Sequence, residues 1–126
     1  AGLICDGLHV DPVAVRMAWR ALGADRLTLV TDAVAARGTR PHRDGIRTAE
    51  GVLAGSAITL DVALRNLIAA TGARVAEAVA TVTSTPARVL GLNDRGVITP
   101  GARADVTVLD RELRVLETHV AGVRIG

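Results

Sequence analysis

The chain has 126 residues, a net charge of +2, one cysteine and a single aromatic residue, Trp19. That length builds one ordinary domain with a core. Lone Cys5 rules out an internal disulfide, the mixed charges and missing rings argue against a nucleic-acid groove, and no apolar window has the ~18 residues of a membrane span.

All 15 basic residues are Arg, which reads as coding bias in a GC-rich genome rather than a binding signature. No secretory leader is visible, and cysteine usage points to a reducing, cytoplasmic location. The chain opens on Ala1 inside a strand-like run, so we expect that it lacks its natural beginning.

Gly2 to Cys5 is a short apolar run, the pattern of a strand buried on both faces. Asp11-Pro12 then starts a helix, with Asp11 as N-cap and Pro12 in the first helical position. Val13, Val15, Met17, Ala18, Trp19 and Leu22 supply its apolar side, and Gly23 stops it. Leu27 to Val30 is a second buried strand, which completes a unit of βαβ size.

Ala33 to Gly51 has no clear period and many charges, so it reads as a long functional or irregular loop. A helix follows around Ala57 to Ala70, with Leu60, Leu64, Leu67, Ile68 and Thr71 on one face and Gly72 as its stop. Val75 to Val82 reads as another helix. Thr85-Pro86 begins a third, short one that ends at Gly91. From Gly96 the texture changes to short antiparallel strands, with a break at Pro100-Gly101 and a turn at Ala121-Gly122.

Two carboxylates follow strand-like runs: Asp6 after Leu3-Ile4-Cys5, and Asp32 after Leu27 to Val30. In parallel α/β folds ligands bind at the carboxyl ends of strands. Asp32 is therefore either a turn residue or the rim of a site, and His9 either a loop histidine or its partner. Cys5 reads as a small core residue. Ser56 reads as a residue in the first turn of the helix, where Gly55 lets backbone N–H groups face an anion. His42 and His119 lack metal-ligand spacing. Arg40, Arg43 and Arg47 read as a solvated loop with the reach to meet a phosphate. The residues alone therefore describe part of a parallel α/β enzyme with a polar rim and no stated reaction.

Four stretches carry a resemblance. "ICDGLHVDP", "LVTDAVAARG", "GVLAGSAITLDVALRNLIAATG" and "TSTPARVLGLNDRGVITPGARADVTVLD" are together similar to the C-terminal third of the N-acetylglucosamine-6-phosphate deacetylase family, within the amidohydrolase superfamily. The last stretch is specific only to the superfamily. The resemblance implies the C-terminal portion of a (β/α)8 TIM barrel over residues 1–96, holding its last two strands and helices. Residues 97–126 would supply strands of a small accessory β-sandwich.

It further implies that Asp32 is the catalytic carboxylate. Asp32 would take a proton from a metal-bound water that attacks the acetamide carbonyl, then protonate the departing sugar amine. Asp6, Gly7, Leu8 and His9 would line the sugar phosphate, and Leu53, Ala54 and Gly55 would close over it. The implied cofactor is a divalent metal such as zinc. Its ligands in the family, a glutamate and two histidines, come from earlier barrel strands and are absent from this chain. The whole enzyme would be a homodimer without nucleic-acid or membrane partners. The stretch from Val34 to Val52 is shorter than the family's. A dihydroorotase-like or deaminase-like amidohydrolase is the second reading, which "DGLHVDP" and "LAGSAITL" disfavour. A non-catalytic remnant or binding module is the third.

Overall fold

A computed structural model describes residues 1–34 and 45–126 of the chain. Its architecture is mixed α/β. Strand β1 (Gly2–Ile4) and strand β2 (Thr28–Val30) pair in parallel, with Leu3 opposite Leu29. A parallel pair needs a crossover, and helix α1 (Pro12–Arg26) provides it. Asp11 caps that helix as expected, its carboxylate accepting the Val13 N–H at 2.7 Å. Gly23, at a φ of 63°, interrupts the helix where the sequence puts its stop, and one further turn carries the chain to Arg26.

The core lies between this pair and a helical layer. Leu3, Cys5, Leu27 and Leu29 alternate to one side, as strand geometry requires, and join Val15, Ala63, Leu64, Leu67 and Ala78 in one buried cluster. The expectation of strands buried on both faces fails. Gly2 and Val30 on the other side are exposed, and Ile4 and Thr28 are only half-buried. The apolar side of α1 is also narrower than expected. Val15 is buried, Trp19 and Leu22 pack against the core, and Val13 and Met17 point to solvent.

Helix α2 (Leu60–Thr71) begins three residues later than the expected Ala57. Ala57 and Ile58 are buried, but in non-helical backbone that follows a parallel bridge between Ala33 and Ser56. Leu60, expected on the apolar face of this helix, is exposed. The stop at Gly72 holds, with a left-handed φ of 71° and its N–H bonded to the Ile68 carbonyl. Helix α3 (Val75–Ala80) runs on in tight turns through Val82, and α4 (Ser84–Val89) carries Pro86 in its first turn. Thr85, almost fully buried, ties α4 to the end of α1 by donating its hydroxyl to the Ala24 carbonyl at 2.7 Å.

Strands β3 (Val106–Leu109), β4 (Val115–Val120) and β5 (Val123–Arg124) form an antiparallel sheet in that order. The turn at Ala121-Gly122 has both central φ angles positive, as a tight hairpin needs. The sheet is fastened to α2 at one corner. Arg65 donates to the Leu113 carbonyl at 2.7 Å and to Asp61 at 3.0 Å, while Leu109 and Leu113 rest on the core.

Candidate functional site

The polar residues of interest gather beyond the carboxyl ends of β1 and β2. After β1 the chain turns on Asp6. Its Oδ1 accepts the N–H groups of Leu8 and His9, both at 2.9 Å, and its Oδ2 lies 2.7 Å from Nδ1 of His9. The Asp6 side chain is only 2% exposed, against 18% for His9. Burial pushes this carboxyl up, but the hydrogen bonds from the His9 and Leu8 N–H groups and the His9 ring outweigh it and hold it below the usual carboxylate range. Asp6 is thus spent on its own loop, and His9 is the side chain this loop presents. Gly7 sits at the bend, and Leu8 is exposed.

After β2, Asp32 is exposed and stands at a φ of 50°, uncommon for a residue with a Cβ. Its backbone oxygen accepts the Ser56 N–H at 2.9 Å. That bond joins the β2 end to the segment Leu53-Ala54-Gly55. Gly55 has a φ of 112°, and a Cβ there would lie 3.1 Å from the Asp32 carbonyl oxygen and 2.6 Å from a Val34 methyl. No other residue type fits without displacing its neighbours.

The late part of the stretch expected to be irregular is ordered into a ribbon. Arg47 and Leu53 form an antiparallel bridge, Ala54 donates to the Ile46 carbonyl at 2.7 Å, and Ile46 donates to Gly55 at 3.3 Å. Gly45 sits within the fold of this ribbon, where a Cβ would lie 2.6 Å from a Leu53 methyl and 3.2 Å from a Leu8 methyl. The first loop and the third segment therefore meet at Gly45, and the second and third meet at Asp32. No hydrogen bond among the described residues links His9 to Asp32 directly.

Ser56 and Gly55 do not open a helix, contrary to the sequence reading. Ser56 is fully buried and pairs with Ala33, its hydroxyl accepting the Ile58 N–H at 3.1 Å, and α2 starts only at Leu60. An anion site on a helix N-terminus is therefore absent at Gly55. Cys5 behaves as a core residue, its thiol pushed up to about 11 by burial and then by the charge of Asp6. His119 bonds Glu117 at 3.1 Å in the tail sheet. Arg47 is exposed and caps the Gly51 carbonyl at 2.8 Å. Arg40, Arg43 and His42 lie outside the described residues.

Sequence reasoning passed over Asn66. Its side chain donates to the Cys5 carbonyl at 2.8 Å and so fixes the end of β1 from α2. Its position directly before Leu67, one of the residues of the helix's apolar face, was the available signal. Asn66, Cys5, Asp6, Val10, Val15 and Arg16 help to line a cavity of about 390 Å³ between α1 and α2. Asp6 and Gly7 of the first loop line it too, whereas Leu8, His9, Asp32 and Leu53 do not. Among the described residues, no group of three or more His, Cys, Asp or Glu side chains is placed to hold a metal ion, and no helix is long and apolar enough to cross a membrane.

Residues 53–124 match the amidohydrolase family. A putative N-acetylgalactosamine-6-phosphate deacetylase of Escherichia coli K12 is 37% identical over 95% of this chain and 79% of its own length. The N-acetylglucosamine-6-phosphate deacetylase of Danio rerio is 38% identical over 98% of this chain but only 34% of its own length. Among solved structures, N-acetylglucosamine-6-phosphate deacetylase from Thermotoga maritima superposes with a TM-score of 0.90 at 32% identity, over 98% of this chain and 37% of that one. A mutant of the Mycobacterium smegmatis enzyme in complex with N-acetyl-D-glucosamine-6-phosphate gives 0.88 at 33% identity, over 98% of this chain and 36% of that one.

Proposed function

The chain belongs to the amidohydrolase family, and from that premise we propose that it is the C-terminal part of an enzyme that deacetylates an N-acetylhexosamine 6-phosphate. N-acetylglucosamine 6-phosphate is the substrate we assign, with glucosamine 6-phosphate and acetate as products. One observation carries this reading. The Ser56 N–H to Asp32 carbonyl bond sets an exposed carboxylate beside the Leu53-Ala54-Gly55 segment at the open end of a parallel pair. In this reading β1 and β2 are the last two strands of a (β/α)8 barrel, and β3–β5 belong to an accessory β-sandwich that begins near Val97. The whole enzyme is a cytoplasmic homodimer.

Asp32 is the general base and acid. Its carboxylate takes a proton from the water that attacks the acetamide carbonyl and returns it to the nitrogen as the C–N bond breaks. His9 contacts the sugar phosphate, and the backbone of Leu53 to Gly55 closes over it. Amidohydrolase family members generally depend on a metal ion. The described residues do not fit one, since they contain no cluster of three or more His, Cys, Asp or Glu ligands.

Acetate release from N-acetylglucosamine 6-phosphate by the gene product that carries this chain tests the proposal, with N-acetylgalactosamine 6-phosphate run alongside. We expect turnover of the glucosamine derivative, and a drop on the order of 10²- to 10⁴-fold in Asp32→Asn, the usual contribution of a general acid–base. An Asp32→Asn enzyme with full activity would remove Asp32 from the chemistry.

A further inference from the structure

We propose that Asp6 is a positioning residue that never touches substrate, and that it acts by holding His9 with its proton on Nδ1 so that Nε2 alone meets the ligand. The proposal rests on the reading of His9 as a substrate contact.

The geometry carries it. The Asp6 side chain is only 2% exposed, so almost none of it is open to a ligand at the strand ends. Both of its oxygens are engaged within the loop: Oδ1 by the Leu8 and His9 N–H groups, Oδ2 by the His9 ring at 2.7 Å. A carboxylate only accepts hydrogen bonds, so Nδ1 must donate. The opposite ring atom, Nε2, has no partner among the described residues. The loop is held from behind as well, because Asn66 of α2 grips the carbonyl of Cys5, the residue before Asp6. The His9 ring is thereby fixed in direction, tilt and tautomer by one buried group.

Asparagine at position 6 separates this role from a merely structural one. Its side-chain oxygen would still accept the two backbone N–H groups. Its amide would face His9 as a donor, so Nδ1 would have to accept and the proton would move to Nε2. A buried Asp-to-Asn exchange acts in this way on an oriented catalytic histidine.

The test is ¹⁵N NMR of the histidine rings of the gene product in mildly alkaline buffer, with His9 assigned from the signals lost in His9→Gln. We expect an Nδ1–H ring in the native protein, a measurement that needs no Asp6 variant, and an Nε2–H ring in Asp6→Asn. A native Nε2–H ring, or an unchanged Nδ1–H ring in Asp6→Asn, would overturn the proposal. In acetate release, kcat/KM should fall on the order of 10- to 100-fold in Asp6→Asn, the scale of a lost outer-shell partner. The double variant with His9→Gln should fall no further than His9→Gln alone, whereas additive losses would mean that Asp6 acts without His9. Should the native protein release no acetate, the deacetylase reading fails while the ring spectra still decide the Asp6–His9 pair.

Discussion

Asp6 and Gly55 show how single residues shape the rim. Asp6 is buried yet kept ionised by three hydrogen bonds, with its carboxyl held below the ordinary value of 3.8. A carboxyl lowered on folding adds stability that is fully present above its unfolded value and is lost as pH falls through the lowered one. The melting temperature should therefore drop as pH falls from about 5 through the ordinary carboxylate range and the lowered value below it, and Asp6→Asn should flatten that drop. Thermal melts across the range check this, and an unchanged slope would mean that Asp6 contributes no such linkage. Gly55 is constrained by space and by backbone together. Alanine there should cost about 1–3 kcal/mol from its φ of 112° alone, and more if the Val34 methyl cannot yield. Denaturant unfolding reads the loss, and the Asp32 end should show it as well, because the displaced atoms include the Asp32 carbonyl.

Helix α2 does most of the joining at the scale of elements. Its inner residues Ala63, Leu64 and Leu67 pack the core, Asn66 reaches β1, and Arg65 reaches the turn between β3 and β4. Leu67 is wholly buried, so Leu67→Ala should destabilise by about 2–5 kcal/mol, the range for a buried leucine truncated to a cavity. Arg65→Met keeps the aliphatic stem and removes the latch. Amide exchange should then quicken at Asp110 to Arg114, with little change inside α2. If the whole chain loosened together, the sheet would be no separate unit from the helices. The turn has bonds of its own, with Asp110 accepting the Arg114 N–H at 2.7 Å, so it should loosen as a body rather than unravel.

Apolar surface dominates the picture at the scale of the whole molecule. Ile98 is 90% exposed, and Val89, Leu90, Val123 and Ile125 are each more than half exposed. Val30 adds exposed apolar surface on the β1–β2 pair, and the edges of both sheets add unpaired backbone groups, which recruit other chains. Expressed as these 126 residues alone, the chain should self-associate. Sedimentation velocity should show mass rising with concentration, and a sharp monomer boundary with a cooperative melt would count against it. The chain spans about a third of most of the relatives compared with it, and a partner surface of that size would cover such a face.

Local signals were enough to read much of this molecule from its residues. The Asp11-Pro12 cap, the stops at Gly23 and Gly72, the turn at Ala121-Gly122 and the placement of Asp32 just past a strand all depend on backbone preferences spanning a few residues. Composition likewise limited the possible partners. What the tertiary structure decided depends on groups far apart in the chain. Ala57 and Ile58 look helical in sequence, but they stay outside the helix, beside the Ser56 pairing with Ala33. Gly45 looks like loop punctuation, yet Leu8 and Leu53 close around it. In each case a contact between distant segments outweighs a local propensity of less than about 1 kcal/mol per residue, and no pattern along the chain records such a contact.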